Sequence, residues 1–193
     1  MLNIKNRCSW CIGDPLYIKY HDEEWGFPIH DDRILFEFLI LEGAQAGLSW
    51  ITILKKRENY RQALDNFDAE KIAFYKKEKI EMLINNSGII RNKLKINAAI
   101  QNAKAFLKVK EEFESFDKYI WQFTEGRTIL NSWKDLKQIP TTTNESDAMS
   151  KDLKNRGFKF VGSTICYSFM QAVGMVNDHI TDCFRYHELQ KQK

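Results

Sequence analysis

The sequence predicts an all-α protein. Three observations favour this class: only three prolines and nine glycines interrupt the 193 residues, apolar residues recur at helical spacing over most of the sequence, and no stretch alternates like a half-buried strand. The chain is long enough to bury a core. We therefore expect one domain over residues 1–193, built as two interlocked helical lobes.

Cap residues and hydrophobic periodicity delimit the predicted helices. The first predicted helix covers 33–42 and follows the N-cap pair Asp31–Asp32. A second begins at Leu48 or Ser49 and becomes amphipathic towards Lys55, and a third is capped by Asp68, with Ile72 and Tyr75 facing inward. Four more are predicted at 77–86, 91–109, 145–156 and 162–173. Gly43, Gly157 and Gly174 follow three of them as helix stops.

The composition, 44% hydrophobic and 28% charged, is typical of a globular protein and excludes a disordered one. A net charge of +3 permits a polyanionic partner without requiring one. No apolar run of membrane-spanning length occurs, and residues 1–8 lack the apolar stretch of a signal peptide. We expect a cytoplasmic protein with no membrane partner, whose four cysteines are reduced and either bind metal or are simply buried.

Soft metal ligands occur near both ends of the sequence. His179 and Cys183, at i and i+4, can share one face of a helical turn and provide half of a tetrahedral zinc site. Spacing alone favours Cys8 and Cys11 as the other half, whereas pairing Cys8 with His21 requires a longer loop. A buried Cys11 with surface histidines remains the alternative without metal. Two thiolates and no open position would make the site structural.

A basic hairpin separates two of the predicted helices. Gly88 allows the tight turn that reverses the backbone. Arg91, Lys93 and Lys95 crowd the first turns of the next helix, where cations oppose the helix dipole. A phosphate held by free backbone N–H groups and these side chains would explain them. The alternative is a plain helical hairpin with a solvated basic face.

An aromatic cluster surrounds one unusual carboxylate. The aromatic residues of this cluster, all within the first fifty positions, are Trp10, Tyr17, Tyr20, Trp25 and Trp50. Glu42 lies at helical offsets from Leu35, Phe38 and Leu39, so its carboxylate projects from an apolar face and needs a partner. A ligand is one candidate; a backbone N–H or an arginine is another. The aromatic residues alone could equally be core.

Long motifs then carry a specific resemblance. They are RCSW at 7–10, DPLYIKYHDEEWG at 14–26, LEGAQAGLSW at 41–50, KRENY at 56–60, GIIR at 88–91, the stretch 154–162, CYSFMQ at 166–171 and VNDH at 176–179. Together they resemble the 3-methyladenine DNA glycosylase I family over nearly the whole sequence. Only 108–136 and the tail after Cys183 are loosely matched.

The resemblance implies a helix-hairpin-helix glycosylase fold, with one structural Zn²⁺ joining the N- and C-terminal segments. Its implied ligands are Cys8, His21, His179 and Cys183, which replaces the choice of Cys11 that spacing favours. It also implies that the hairpin meets the DNA backbone through Ser87, Gly88, Arg91 and Lys93.

The implied base pocket has a role for each member of the aromatic cluster. Glu42 and Tyr20 contact the flipped base and Trp50 stacks on it, while the remaining aromatic residues (Trp10, Tyr17 and Trp25) line or support the pocket. Leu48 enters the DNA stack as a wedge. His30 and His187 are expected to be surface residues.

The implied activity is base-excision repair of alkylated double-stranded DNA by a monomer. The enzyme hydrolyses the N-glycosidic bond of 3-methyladenine after base flipping, with no lyase step, no catalytic aspartate and no nucleotide cofactor. Two rivals remain: a zinc-stapled DNA-binding module without catalysis, and a zinc hydrolase using His179, Cys183 and Glu42. The hydrolase is disfavoured because no HExxH pattern occurs and four protein ligands leave no position for water.

Overall fold

The structure, a computed structural model, describes residues 5–190 and is mostly helical. The helices are α1 Pro15–Glu23, α2 Asp32–Gln45, α3 Trp50–Leu54, α4 Arg57–Ala63, α5 Ala69–Ile72, α6 Lys77–Asn85, α7 Lys93–Phe113, α8 Phe116–Trp121, α9 Asn144–Asn155, α10 Ser163–Ala172 and α11 Phe184–Gln190. Short 3-10 turns occur at Ser9–Cys11, Asp65–Phe67, Gln122–Thr124 and Leu136–Gln138. No helix in the described part is long and apolar enough to cross a bilayer.

A small parallel strand pair corrects the all-α prediction. Strand β1 (Ile129–Leu130) pairs with β2 (Val176–Asn177), with Ile129 opposite Val176. Two residues cannot display an alternating pattern, and their partner lies far away in the sequence. The pair therefore leaves no periodic signal.

The predicted helices all form, with shifted boundaries. The Asp31 and Asp68 side chains accept hydrogen bonds from the Ile34 and Lys71 N–H groups and cap α2 and α5, as expected. α2 passes through Gly43 instead of stopping there, and a side chain at this position would meet the Cβ of Phe160 at 3.2 Å. The sequence did not predict α1, α4, α8 or α11.

Helix α2 lies at the centre of the fold. Every residue from Leu35 to Ala44 is buried, and the helix packs against α3, α7, α8 and α10. A helix buried on all sides must place any charged residue it carries inside the protein. The two in this stretch are Glu37 and Glu42, and their surroundings differ.

The two ends of the described structure lie side by side. The Phe184 N–H donates to the Asn6 carbonyl at 3.0 Å, and the Asn6 side chain donates to the Asp182 carbonyl at 2.9 Å. Asp178 anchors the C-terminal segment by accepting hydrogen bonds at 2.7–2.8 Å from four side chains, those of Asn131, Trp133, Tyr167 and Gln171. This arrangement brings the cysteine and histidine residues of both ends together.

Candidate active site and metal centre

An open cavity of about 120 Å³ lies beside the end of α2. Its lining residues are Trp10, Tyr17, Tyr20, Trp25, Glu42, Gln45, Trp50 and Ser168. All six residues that were expected in the base pocket therefore meet in one cavity. No aspartate of the described residues lines it.

Four local structures place the cavity's aromatic walls. Trp10 lies in the turn Ser9–Cys11 and Trp50 is the first residue of α3. Tyr17 and Tyr20 are three residues apart on α1, so they share one face of that helix. Trp25 comes shortly after the end of α1.

The aromatic rings form a continuous wall. The Trp10 ring lies 4.8 Å from Tyr17 and 5.0 Å from Trp25, tilted against the first and edge-on to the second. The Trp50 ring lies 5.5 Å from Tyr20 and is stacked on Phe38 at 6.3 Å. Such walls present electron-rich faces, which attract cations and flat rings.

Glu42 is a buried carboxylate without a partner among residues 5–190. Its side chain is 4% exposed, and burial raises its pKa from 4.5 to about 8. Arg57 and Arg61 bind the other buried glutamate of α2, Glu37, and within the described residues neither a side chain nor a backbone N–H donates to Glu42. A buried polar group without a donor costs free energy unless a ligand supplies one.

Glu37, one and a half turns earlier on α2, is a satisfied carboxylate. Arg57 donates to it at 2.6 Å and Arg61 at 2.8 Å. Arg57 also donates to Glu24 at 2.5 Å. These two arginines are therefore committed to Glu37 and Glu24, and the Glu42 carboxylate faces the cavity instead.

Tyr20 and Trp50, which line the same cavity as Glu42, also carry polar groups. The Tyr20 side chain is buried. Its pKa is raised well above 10, mainly by this burial and secondly by the charge of Glu42. The Trp50 Nε1–H is buried and has no acceptor within the described residues. The cavity thus presents an acceptor that no donor of the described residues satisfies, an arrangement typical of a binding site rather than of a packed core.

The sequence did not single out Gln45 or Ser168. Gln45 lies three residues after Glu42 on α2 and so shares its face, a spacing that could have identified it. Ser168 comes from α10, which is distant in sequence from the rest of the lining. Only the fold shows that α10 closes this wall.

The four predicted metal ligands meet in one cysteine–histidine cluster. Cys8, His21, His179 and Cys183 are fully buried, and their ligand atoms all lie within 4.8 Å of one another. The Sγ of Cys183 is 3.4 Å from His21 Nε2 and 3.5 Å from His179 Nδ1, and Cys8 Sγ is 3.7 Å from His179 Nδ1. Zinc binds sulfur at about 2.3 Å and nitrogen at about 2.0 Å. In a tetrahedral site with these bond lengths, a sulfur ligand and a nitrogen ligand lie about 3.5 Å apart. The donor set and spacing therefore fit zinc.

Outer hydrogen bonds orient both imidazoles for metal binding. His21 Nδ1 donates to Asp22 at 2.8 Å, and Asp22 is itself held by Arg7 at 2.7 Å. His179 Nε2 donates to the Trp25 carbonyl at 3.1 Å. These bonds favour the tautomers in which His21 Nε2 and His179 Nδ1 face the cluster with a lone pair, as ligation requires.

A third cysteine, Cys11 near the N-terminus, is also fully buried. Cys11 lies outside the cluster: its thiol donates to the Cys8 carbonyl at 3.1 Å, and burial raises its pKa to about 11. The ligand pair Cys8–Cys11, which spacing favours, is therefore wrong for this fold.

The cysteine–histidine cluster lies behind the aromatic wall. The His179 ring lies edge-on to Trp25 at 4.6 Å, and the His21 ring lies edge-on to Trp10 at 5.3 Å. Because both tryptophans line the cavity, a displacement of either imidazole would be transmitted to the cavity by direct contact.

The hairpin comprises residues 86–92 between α6 and α7. Lys56 and Asn59 brace it, with Lys56 Nζ donating to the Ser87 carbonyl at 3.0 Å and Asn59 to the Gly88 carbonyl at 3.3 Å. Gly88 lies in this turn, as the sequence predicts, but without a positive φ. A Cβ there would lie 3.1 Å from the Cβ of Asn59, a close contact that favours glycine.

The hairpin is less open to an anion than the sequence suggests. The N–H groups of Gly88, Ile90 and Leu94 already donate to Asn86, Tyr60 and Asn92. Arg91 and Lys93 are exposed as expected. Lys95 is not a free cation, since its ammonium donates to the Ala44 and Ala46 carbonyls, each at 2.7 Å.

The predicted wedge residue lies in the loop that follows α2. Leu48 is 41% exposed, and its N–H donates to the Gln45 carbonyl at 2.6 Å. Gly47, just before it, has a φ of +78°, which favours glycine. An exposed leucine is thus held on a tight turn next to Gln45 and Trp50, two residues of the cavity lining.

Comparison with known proteins identifies what the chain resembles. The family model of methyladenine glycosylase matches residues 10–186. DNA-3-methyladenine glycosylase 1 of Escherichia coli K12 is 53% identical over 93% of this protein and 96% of that relative. A crystal structure of 3-methyladenine DNA glycosylase I is 56% identical with a TM-score of 0.91, over 93% of this protein and 98% of that one. A substituted 3-methyladenine DNA glycosylase I in complex with 3-methyladenine is 36% identical with a TM-score of 0.90, over 93% and 96%.

Proposed function

The chain belongs to the methyladenine glycosylase family, and from this premise we propose that it removes 3-methyladenine from alkylated double-stranded DNA in base-excision repair. One observation carries the proposal: an aromatic cavity encloses the buried, unpaired carboxylate of Glu42. A flat cation with an exocyclic amine complements this cavity: its ring can stack on the aromatic walls, its charge can pair with the carboxylate, and its amine can donate a hydrogen bond.

The chemistry of the substrate explains why such a cavity suffices. Alkylation at N3 gives adenine a positive charge and makes it a good leaving group, so no strong general acid is needed. The base must first leave the stack, at a cost of a few kcal/mol. Trp50 then stacks on the cation, an interaction of roughly 0.5–2 kcal/mol, and Glu42 accepts a hydrogen bond from the exocyclic amine.

The state of Glu42 favours the damaged base over the normal one. In the empty cavity its carboxyl group is largely protonated at neutral pH, because its pKa is about 8. A cationic base lowers that pKa and favours the carboxylate, whereas uncharged adenine does not. Water attacks the sugar as the base leaves, which makes the reaction monofunctional, with no lysine Schiff base and no lyase step.

The remaining residues of the cavity complete the base pocket in this proposal. Tyr20 contacts the flipped base beside Glu42. Trp10, Tyr17 and Trp25 support the pocket walls. Gln45 and Ser168 join the set because they line the same cavity.

DNA binding is proposed for the hairpin and for the loop after α2. Arg91 and Lys93 contact phosphates, with Ser87 and Gly88 approaching the backbone as parts of a helix-hairpin-helix motif. Leu48 fills the gap that the flipped base leaves. The support is that both cations and Leu48 are exposed.

One structural zinc ion is proposed at the cluster of Cys8, His21, His179 and Cys183. When bound, it would tie the N- and C-terminal segments together. Four protein donors leave no position for a water nucleophile, which disfavours a zinc hydrolase. Thiolate ligands require reducing conditions, which supports a cytoplasmic location. Because one polypeptide supplies cavity, cluster and hairpin, we propose that it acts as a monomer without a nucleotide cofactor.

The test is release of 3-methyladenine from methylated duplex DNA, measured by chromatography. Wild-type protein is expected to release the base. Glu42→Gln is expected to be about tenfold to a hundredfold slower, because a hydrogen bond to a charged group is lost. Glu111→Gln, an exposed substitution on α7, is the control and should match the wild type.

The result also separates the rival functions. A zinc-stapled module that only binds DNA would bind the duplex without releasing a base. Equal release by wild type and Glu42→Gln would contradict the proposed role of Glu42.

A further inference from the structure

Lys95 differs from the other cations that the sequence places after the hairpin, because its ammonium is already committed. It lies in the first turn of α7, where a positive charge opposes the helix dipole. Arg91 and Lys93 are exposed, but Lys95 is half-buried and donates to the Ala44 and Ala46 carbonyls at 2.7 Å each. Burial lowers its pKa. Its position is therefore explained by these carbonyls rather than by a solvated charge.

The two carbonyls belong to the end of α2. The last carbonyls of a helix have no partner within it, and a lysine ammonium satisfies them while complementing the negative end of the dipole. Among residues 5–190 no other side chain donates to Ala44 or Ala46. The Lys95 ammonium thus caps the C-terminus of α2, although Lys95 itself belongs to a different helix.

This end of α2 carries functional groups. Glu42 and Gln45 line the cavity from its last turn, and the loop that holds Leu48 begins directly after Ala46. On the other side, Lys95 follows the hairpin by a few residues. The two hydrogen bonds therefore join the base-binding helix to the hairpin helix.

We propose that Lys95 is a positioning residue for base release: it fastens the end of α2 to the start of α7, so that Glu42 and the Leu48 loop keep a fixed position relative to the hairpin. The inference rests on the proposed glycosylase function. In this proposal Lys95 acts through backbone geometry, because its ammonium contacts the Ala44 and Ala46 carbonyls and not the Glu42 carboxylate.

The competing explanation is that Lys95 binds a DNA phosphate, as its place in the sequence suggests. To do so the ammonium would have to leave both carbonyls. The two explanations predict different effects of the same substitution. Loss of a phosphate contact weakens DNA binding and reduces its salt dependence by about 0.9 in the logarithmic slope. Loss of a positioning contact slows the reaction of bound DNA.

The experiment compares wild type, Lys95→Met, Lys95→Arg and the control Lys110→Met. Lys110 lies on the same helix and pairs with Asp32 at 3.3 Å, remote from the cavity lining. Three quantities are measured: the single-turnover rate of 3-methyladenine release at saturating DNA, the salt dependence of binding to undamaged duplex, and the thermal midpoint. If Lys95→Met does not fold, Lys95→Gln takes its place.

The expected result for Lys95→Met is a rate about tenfold to a hundredfold lower at saturating DNA, because a misplacement of about 1 Å has effects of this size. The salt slope should equal that of the wild type, Lys95→Arg should recover most of the rate, and Lys110→Met should keep it. A reduced salt slope with an unchanged rate would overturn the proposal in favour of phosphate binding.

The same data test a purely structural role. Lowered thermal stability with an unchanged rate per folded molecule would overturn the proposal as well. Failure of the proposed function would appear separately, as a wild-type protein that releases no base.

Discussion

Replacing Glu42 by glutamine is predicted to stabilise the fold increasingly as the pH rises from about 4.5 to about 8. The reason lies in the empty cavity, where burial raises the pKa of this carboxyl group from 4.5 to about 8. At low pH the group is protonated in both the folded and the unfolded protein. Between the two values the unfolded protein ionises while the folded one does not, so stability falls with rising pH.

The size of the effect follows from the shift. Each unit of pKa difference corresponds to about 1.4 kcal/mol, and the difference between 4.5 and about 8 therefore costs the wild type about 4 kcal/mol at pH 8 and about 5 kcal/mol at higher pH. At pH 7 the cost is about 3 kcal/mol. Glutamine has nearly the same shape and no charge, so the variant escapes this cost.

The measurement is the free energy of unfolding in denaturant for wild type and Glu42→Gln at several pH values from about 4.5 to about 8, the range over which the group titrates. Only the difference between the two proteins is interpreted, because all other titrating groups then cancel. Glu111→Gln, an exposed substitution, should give a difference that does not vary with pH. A constant difference for Glu42→Gln over this range would refute the reasoning, since it would mean that Glu42 is not held neutral in the folded protein.

Three other predictions concern catalysis, metal and DNA. For 3-methyladenine release, kcat/KM should rise with pH and become constant above about 8, because the carboxylate of Glu42 is the productive form; a profile unchanged in Glu42→Gln would contradict this. Cys183→Ser or a chelator should lower the thermal midpoint and change tryptophan emission together with activity, because the ligand His179 packs on Trp25; loss of activity at an unchanged midpoint would instead indicate a catalytic metal. Arg91→Ala and Lys93→Ala should each reduce the logarithmic salt slope of duplex binding by about 0.9, and Lys137→Ala is the exposed control. Equal slopes for all three variants would show that the hairpin does not contact DNA.

Local signals predicted much of the helical framework. Asp31 and Asp68 cap the helices that they were expected to cap, because an N-cap depends only on residues two or three positions away. Helix ends were less predictable. Gly43 lies inside α2 where Phe160 packs against it, and that contact is distant in sequence.

The candidate site likewise combines residues that could be predicted from the sequence with residues that could not. Resemblance to a family, and not spacing, placed Cys8 with His21 instead of Cys11, and the structure groups the same four ligand atoms. Ser168 and the strand pair β1–β2 depend on which distant segments meet, which no periodic pattern encodes. The contact made by Lys95 could not be predicted from the sequence. Its partners are backbone carbonyls far away in the sequence, and because every residue has such a carbonyl, no residue type marks them.

The most direct test of the central claim is the competition between two alkylated bases in the same methylated duplex. The cavity is proposed to select a cationic adenine by its amine and its charge, through the unpaired carboxylate of Glu42. Chromatography of the released bases should show 3-methyladenine leaving much faster than 7-methylguanine, and Glu42→Gln should narrow the difference. Release of both bases at similar rates by the wild type would contradict the account.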